Sequence, residues 1–126
     1  MNYFDFIIPS EGLPVISQSA TIEEAHNKMC MFGLGFCYIV DKSNKLLAVF
    51  TDGDFRRLIL NTSTISSIFF NYTALDYSSL DPISIDIAQD PDLNFIRSLF
   101  IEHKIYDLPV THSTLLVGSI NIRSLL

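Results

Sequence analysis

The chain has 126 residues, of which 48% are hydrophobic and 17% charged. That length fits one compact domain or two small repeats sharing a core, and the apolar share excludes a disordered chain. Eight Lys and Arg against 14 Asp and Glu leave a net charge of −6, which disfavours nucleic acid or an anionic membrane as the main partner; a local phosphate site stays open, since it needs only a few donors.

The N-terminus, MNYFDFIIPSEG, has neither a positive n-region nor a long apolar stretch, so no secretory signal is read there. No apolar run approaches the roughly 20 residues of a membrane helix. Pro14-Val15-Ile16 reads as a short extended piece. Thr21 and Glu24 fit a capping box, and Ile22, Ala25, Met29 and Phe32 follow one helix face. Gly33 and Gly35 supply the stop. Phe36 to Val40 reads as a buried strand, Asp41 to Lys45 as a turn, and Leu46 to Phe50 as a second strand. The short connection makes the two strands an antiparallel hairpin. Thr51-Asp52-Gly53-Asp54 breaks the strand, and Phe55 to Leu60 begins another helix.

Asn61 to Pro82 is rich in Ser, Thr and Tyr and reads as a connector with a short helix around Ser66–Asn71. The order then recurs. Ile83 to Ile87 is extended, Asp90 is the N-cap of a helix, and Pro91 is its first residue. Leu93, Ile96, Phe100 and the aliphatic part of Lys104 follow the inner face. Leu108 to Val110 is a strand, Thr111 to Thr114 a turn, and Leu115 to Ile120 a strand. Asn121 to Leu126 opens a closing helix that the chain cuts short. The predicted fold class is mixed α/β (α+β) with two β-α-β-β-α repeats. A lead segment (1–12) precedes repeat 1 (13–62), a connector (63–82) and repeat 2 (83–126).

Two cysteines, Cys30 and Cys37, form no disulfide framework; both read as buried, reduced thiols of a cytoplasmic protein. Cys37 lies in an apolar strand, which disfavours a nucleophilic thiolate. His26, His103 and His112 stand at no metal-ligand spacing and read as exposed helix or turn residues. Asp86, Asp90 and Asp92 read as caps and not as a calcium loop. The aromatics Phe69, Phe70, Tyr72 and Tyr77 have no Lys or Arg near them from Leu58 to Ile96, so they suit a core or dimer interface and not base stacking.

Leu46-Leu47-Ala48-Val49-Phe50-Thr51-Asp52-Gly53-Asp54-Phe55-Arg56-Arg57 resembles the signature of a CBS repeat: an apolar strand, then Thr-x-x-Asp, then a helix. Leu116-Val117-Gly118-Ser119-Ile120-Asn121-Ile122-Arg123-Ser124-Leu125-Leu126 resembles a degenerate copy. The likeness is to a tandem CBS pair, or Bateman module, over nearly the whole chain. With Leu13-Pro14-Val15 and Phe32-Gly33-Leu34-Gly35, the TDGD-x-RR stretch is similar to the C-terminal CBS module of arabinose-5-phosphate isomerase-type sugar isomerases. A similar pair stands before the catalytic domain of some sugar nucleotidyltransferases.

This resemblance implies repeats packed sheet against sheet about a pseudo-twofold axis, a homodimer through helix faces, and a nucleotide held between repeats. Asp54 would accept from both ribose hydroxyls, and Thr51 would offer its hydroxyl to phosphate near the helix amides. Arg56 or Arg57 would add charge. Val15, Ile16, Cys37, Tyr38 and Ile39 would wall the base. Capping of the helix by Thr51 or Asp54, with Gly53 allowing the bend, explains the same residues without a ligand. In the second copy the aligned positions are Asn121 and Ser124, a weaker pair because Ser124 lacks a carboxylate. The implied function is a non-catalytic regulatory module that binds AMP, ADP, ATP or a CMP-sugar and modulates a sugar-phosphate enzyme, with no metal or cofactor. A ligand-free dimerisation module and the N-terminal CBS module of a sugar nucleotidyltransferase are the alternatives.

Overall fold

The computed structural model describes residues 2–61 and 69–126. In chain order its strands and α-helices are β1 (Ile8–Pro9), β2 (Val15–Ser17), α1 (Ile22–Phe32), β3 (Phe36–Val40), β4 (Leu46–Thr51), α2 (Asp52–Leu60), β5 (Ser79–Leu80), β6 (Ile85–Asp86), α3 (Leu93–His103), β7 (Asp107–His112) and β8 (Leu115–Asn121). The chain divides into two compact units, Pro14–Pro82 and a second made of Met1–Leu13 with Ile83–Leu126. Among the described residues no helix is long and apolar enough to cross a membrane.

The Pro14–Pro82 unit carries a four-stranded sheet in the order β2-β3-β4-β5. β2 runs parallel to β3, and the other pairs are antiparallel. The Thr21 hydroxyl accepts from the Glu24 N–H at 3.1 Å and starts α1. Gly33 ends it in the left-handed region at φ 65°, where a side chain would be strained. Ile22, Ala25 and Met29 take the inner face. Cys30 is one step past that face and is exposed, which corrects the expectation of a buried thiol; Cys37 is buried. Between β3 and β4 the Asp41 carboxylate accepts from the N–H groups of Ser43 (2.8 Å) and Lys45 (2.9 Å) and fixes the turn.

The connector adds to this unit. Ala74 is buried in its core, and β5 pairs with β4. Residues 69–71 are helical; the rest of the helix expected around Ser66–Asn71 lies outside the described residues.

The second unit carries the order β1-β8-β7-β6. Its core gathers Ile85, Ile96, Leu99, Phe100, Leu108, Val110 and Ile120. Several expectations shift here. The extended piece is only Ile85–Asp86, because the Asp86 carboxylate accepts from the Ala88 N–H at 2.9 Å and turns Ile87–Gln89 into a 3-10 turn. Asp90 sits in the left-handed region at φ 47° and ends that turn. The N-cap of α3 is Asp92, whose carboxylate accepts from the Phe95 N–H at 2.8 Å, so Pro91 precedes the helix. Lys104 is the left-handed C-cap at φ 54° and not an inner-face residue; Leu99 takes that place.

Thr111 and His112 belong to β7, and the turn is Ser113-Thr114, both at positive φ (52° and 73°) as a tight hairpin demands. The expected closing helix is a single 3-10 turn, Ile122–Leu125.

Gly118 marks where β8 meets β1. A Cβ there would lie 2.4 Å from the Ile8 carbonyl oxygen and 2.7 Å from Ile7 Cγ2, so backbone would have to move. Gly118→Ala is expected to destabilise this unit by about 1–3 kcal/mol in urea titrations, with loss of amide protection first at Ile8 and Ser119.

Asp86 supplies a second test. Its carboxyl is held below the usual range, first by the Ala88 N–H and then by the Ser113 and Thr114 N–H groups and the Thr111 hydroxyl, against partial desolvation. A lowered folded pKa gives stability that is full above the unfolded value of about 3.9 and fades as pH falls through the folded value. Asp86→Asn should therefore flatten the acid limb of a melting-temperature profile below about pH 4.

Candidate functional site

The site grows from the junction of β4 and α2. Thr51 ends the strand and caps the helix, which starts at Asp52 and not at Phe55 as the sequence suggested. The cause is a capping box. Thr51 Oγ1 accepts from the Asp54 N–H (3.2 Å), and Asp54 Oδ2 accepts from the Thr51 N–H (2.9 Å). The Thr51 hydroxyl also donates to the same carboxylate oxygen at 3.1 Å. Gly53 lies inside the helix with no positive φ, so the bend does not require glycine as expected. A Cβ at Gly53 would stand in ordinary contact, 3.5 Å from Thr51 Oγ1 and from Arg57 Nη1.

Asp54 is 7% exposed, an unusual setting for a carboxylate. Its other oxygen, Oδ1, accepts from Arg57 Nη2 at 2.5 Å. The Arg57 side chain is itself 68% exposed. Of the two arginines, Arg57 therefore turns toward the acid, while Arg56 is exposed and makes no ion pair among the described residues. Arg57 and Asp54 also border a depression of about 200 Å³ shared with Leu58, Asn61 and Tyr77. Asn61 was not singled out from the sequence, and Tyr77 reads there as a core or dimer-interface aromatic and not as part of this site. Asn61 could have been, since it lies one helical turn beyond Arg57; Tyr77 could not, since its place depends on how the connector folds.

The five wall residues do not form one surface. The register pairs Val15 with Tyr38 and Ile16 with Ile39 across β2 and β3. Alternation therefore puts Val15 and Tyr38 on one face of the sheet and Ile16, Cys37 and Ile39 on the other. The latter three are packed into the core with Phe50 and Ala25. Tyr38 is also buried, its ring 4.9 Å from that of Phe36. Burial pushes the Cys37 thiol up to about 12, with the Asp54 charge adding to the effect. A thiol so held has almost no thiolate near neutrality.

The second copy is built differently. Asn121 Oδ1 accepts from the Arg123 N–H at 2.9 Å, and its Nδ2 donates to Asp107 Oδ1 at 2.9 Å. The cap thus reaches two residues on and not three. Ser124 is exposed within the 3-10 turn. Burial raises the Asp107 carboxyl, against the bond from Asn121.

Among the histidines, His26 is half-buried and stacks on Phe55 with ring centroids 4.7 Å apart, which corrects its expected exposure. His103 and His112 are exposed. Among the described residues no three His, Cys, Asp or Glu converge as a metal would require.

The model of the CBS domain family matches residues 5–61. Arabinose 5-phosphate isomerase KdsD of Pseudomonas aeruginosa is 36% identical over 55 residues, 44% of this chain and 17% of that protein. An uncharacterized protein of Chlamydia muridarum is 38% identical over 53 residues, 42% of this chain and 16% of that protein. The chain spans between 16% and 26% of the length of the curated relatives it matches. Among solved structures, CBSX2 in complex with AMP superposes with a TM-score of 0.81 at 20% identity, covering 98% of this chain and 95% of that one. The fold is that of a CBS pair, and the family match over the first repeat supports the same assignment.

The two thiols give a direct check of this geometry. A thiol reagent should label one cysteine per folded chain, Cys30, and both in urea; peptide mapping identifies the labelled residue. Labelling of Cys37 in the folded chain would contradict its place in the core.

Proposed function

We propose that this chain is a non-catalytic regulatory module that binds an adenine nucleotide through Thr51 and Asp54 and passes the binding state to a sugar-phosphate enzyme. The observation that carries the reading is Asp54. It is a buried carboxylate fixed to the backbone by Thr51, at the start of a nine-residue helix. A carboxylate so positioned suits a ribose diol, and the helix N-terminus favours a nearby phosphate. The AMP in CBSX2 and the partial likeness to KdsD support this choice of ligand and target. AMP, ADP, ATP and CMP-sugars are the ligands to compare. A nucleotide that binds one conformation better than another shifts a linked domain by that difference.

The asymmetry between the copies limits the module to one well-formed ribose site. Asp54 has a carboxylate in a capping box, whereas Ser124 has a lone exposed hydroxyl. We further read the protein as a homodimer through helix faces, which would cover exposed apolar residues such as Ile59 and Leu60 on α2. A cytoplasmic setting belongs to the same reading, because nucleotides and sugar phosphates are found there.

A second reading is favoured by two observations. Tyr38 is 1% exposed, and Asp54 already holds three donors. Both suit an assembly module that takes no ligand. Calorimetry separates the two. Under the first reading Asp54→Asn weakens AMP binding by about 1–3 kcal/mol, roughly five- to 150-fold, and Ser124→Ala leaves it unchanged. Equal effects of the two substitutions would remove the asymmetry, and no heat from any nucleotide would favour the assembly module.

A further inference from the structure

A carboxylate offers about four acceptor positions on its two oxygens. Thr51 fills both on Asp54 Oδ2, with its N–H at 2.9 Å and its hydroxyl at 3.1 Å. Arg57 fills one on Oδ1. One position remains, whereas a ribose brings two hydroxyl donors. We propose that Arg57 is the specificity-determining residue of this site: its guanidinium holds the ribose acceptor closed, and a ligand that also carries a phosphate opens it. The inference rests on the ribose reading of Asp54 given above.

The two ends of the ion pair differ. Asp54 is buried and tied to the backbone of Thr51, so it does not move away. Arg57 is 68% exposed and carries its charge on a long stem. The arginine is the end of the pair that salt and a ligand can reach, so a ligand can displace it while the carboxylate stays in place. A neutral nucleoside breaks the pair and gives the freed guanidinium nothing in return. A nucleotide supplies phosphate oxygens, which the planar fork of arginine meets as well as it meets a carboxylate. Asp52 and Asp54 lie in the first turn of α2. Their charge works against phosphate, so an unlatched Arg57 is also needed to offset it.

The test compares adenosine with AMP on the full chain and on Arg57→Gln by calorimetry, at low and at moderate NaCl. Arg57→Gln should bind adenosine about two- to fivefold more tightly than the native chain. It should bind AMP less tightly, so the preference for AMP over adenosine collapses. Salt should tighten adenosine binding to the native chain, by screening the pair, and leave the variant unmoved. The melting temperature of Arg57→Gln, an exposed position, should stay near that of the native chain, which keeps the comparison one of folded proteins. An unchanged ratio of AMP to adenosine affinity overturns the inference, whichever way both affinities move. Failure of both ligands to bind either protein overturns the ribose reading of Asp54 itself, a result distinct from an unchanged ratio.

Discussion

One carboxylate governs the geometry at the end of β4. Asp54 reaches back to the N–H of Thr51, and Thr51 reaches forward to the N–H of Asp54. The exchange satisfies two backbone donors that a strand-to-helix junction would otherwise leave open. It also fixes where the helix starts, and so where Arg57 falls one turn later. The same acid is buried, which would cost free energy without these donors. Cap and candidate ligand site are therefore not rival accounts of Thr-x-x-Asp. The cap is what holds the carboxylate still, and stillness is what a binding group needs.

The two copies diverge at this point. Replacing Thr by Asn and Asp by Ser removes the reciprocal box. Asn121 then caps two residues on and takes Asp107 as a side-chain partner. The closing segment, Ile122–Leu125, is a 3-10 turn. The rest of the repeat tolerates the loss, because its core rests on α3, β7 and β8.

Much of this was legible in the sequence where the cause is local. Thr21 and Gly33 bound α1 by chemistry carried within a few residues. Apolar β3 and β4, joined by a polar turn, pointed to the hairpin. The start of α3 was misplaced because Asp90 and Asp92 are equally good caps, and only the left-handed backbone at Asp90 decides between them. The proposed walls divide on periodicity: in β3 Tyr38 faces away from its neighbours Cys37 and Ile39. The place of Tyr77 beside Asp54, and the short strands β1 and β5, were missed because their partners are distant in sequence.

Those two short strands decide where the chain can be divided. β5 lies just ahead of β6 in the chain yet completes the sheet of β2, β3 and β4; β1 lies just ahead of β2 yet completes the sheet of β6, β7 and β8. Each copy thus lends its leading strand to the other, so the unit that is duplicated in sequence is out of phase with the unit that closes a sheet. A single copy cut free, residues 5–61 for instance, would bring β1 without β8 and leave the edge of β4 bare. Bare edges recruit other chains. Neither sequence copy closes a sheet by itself; each needs the short strand that the other carries.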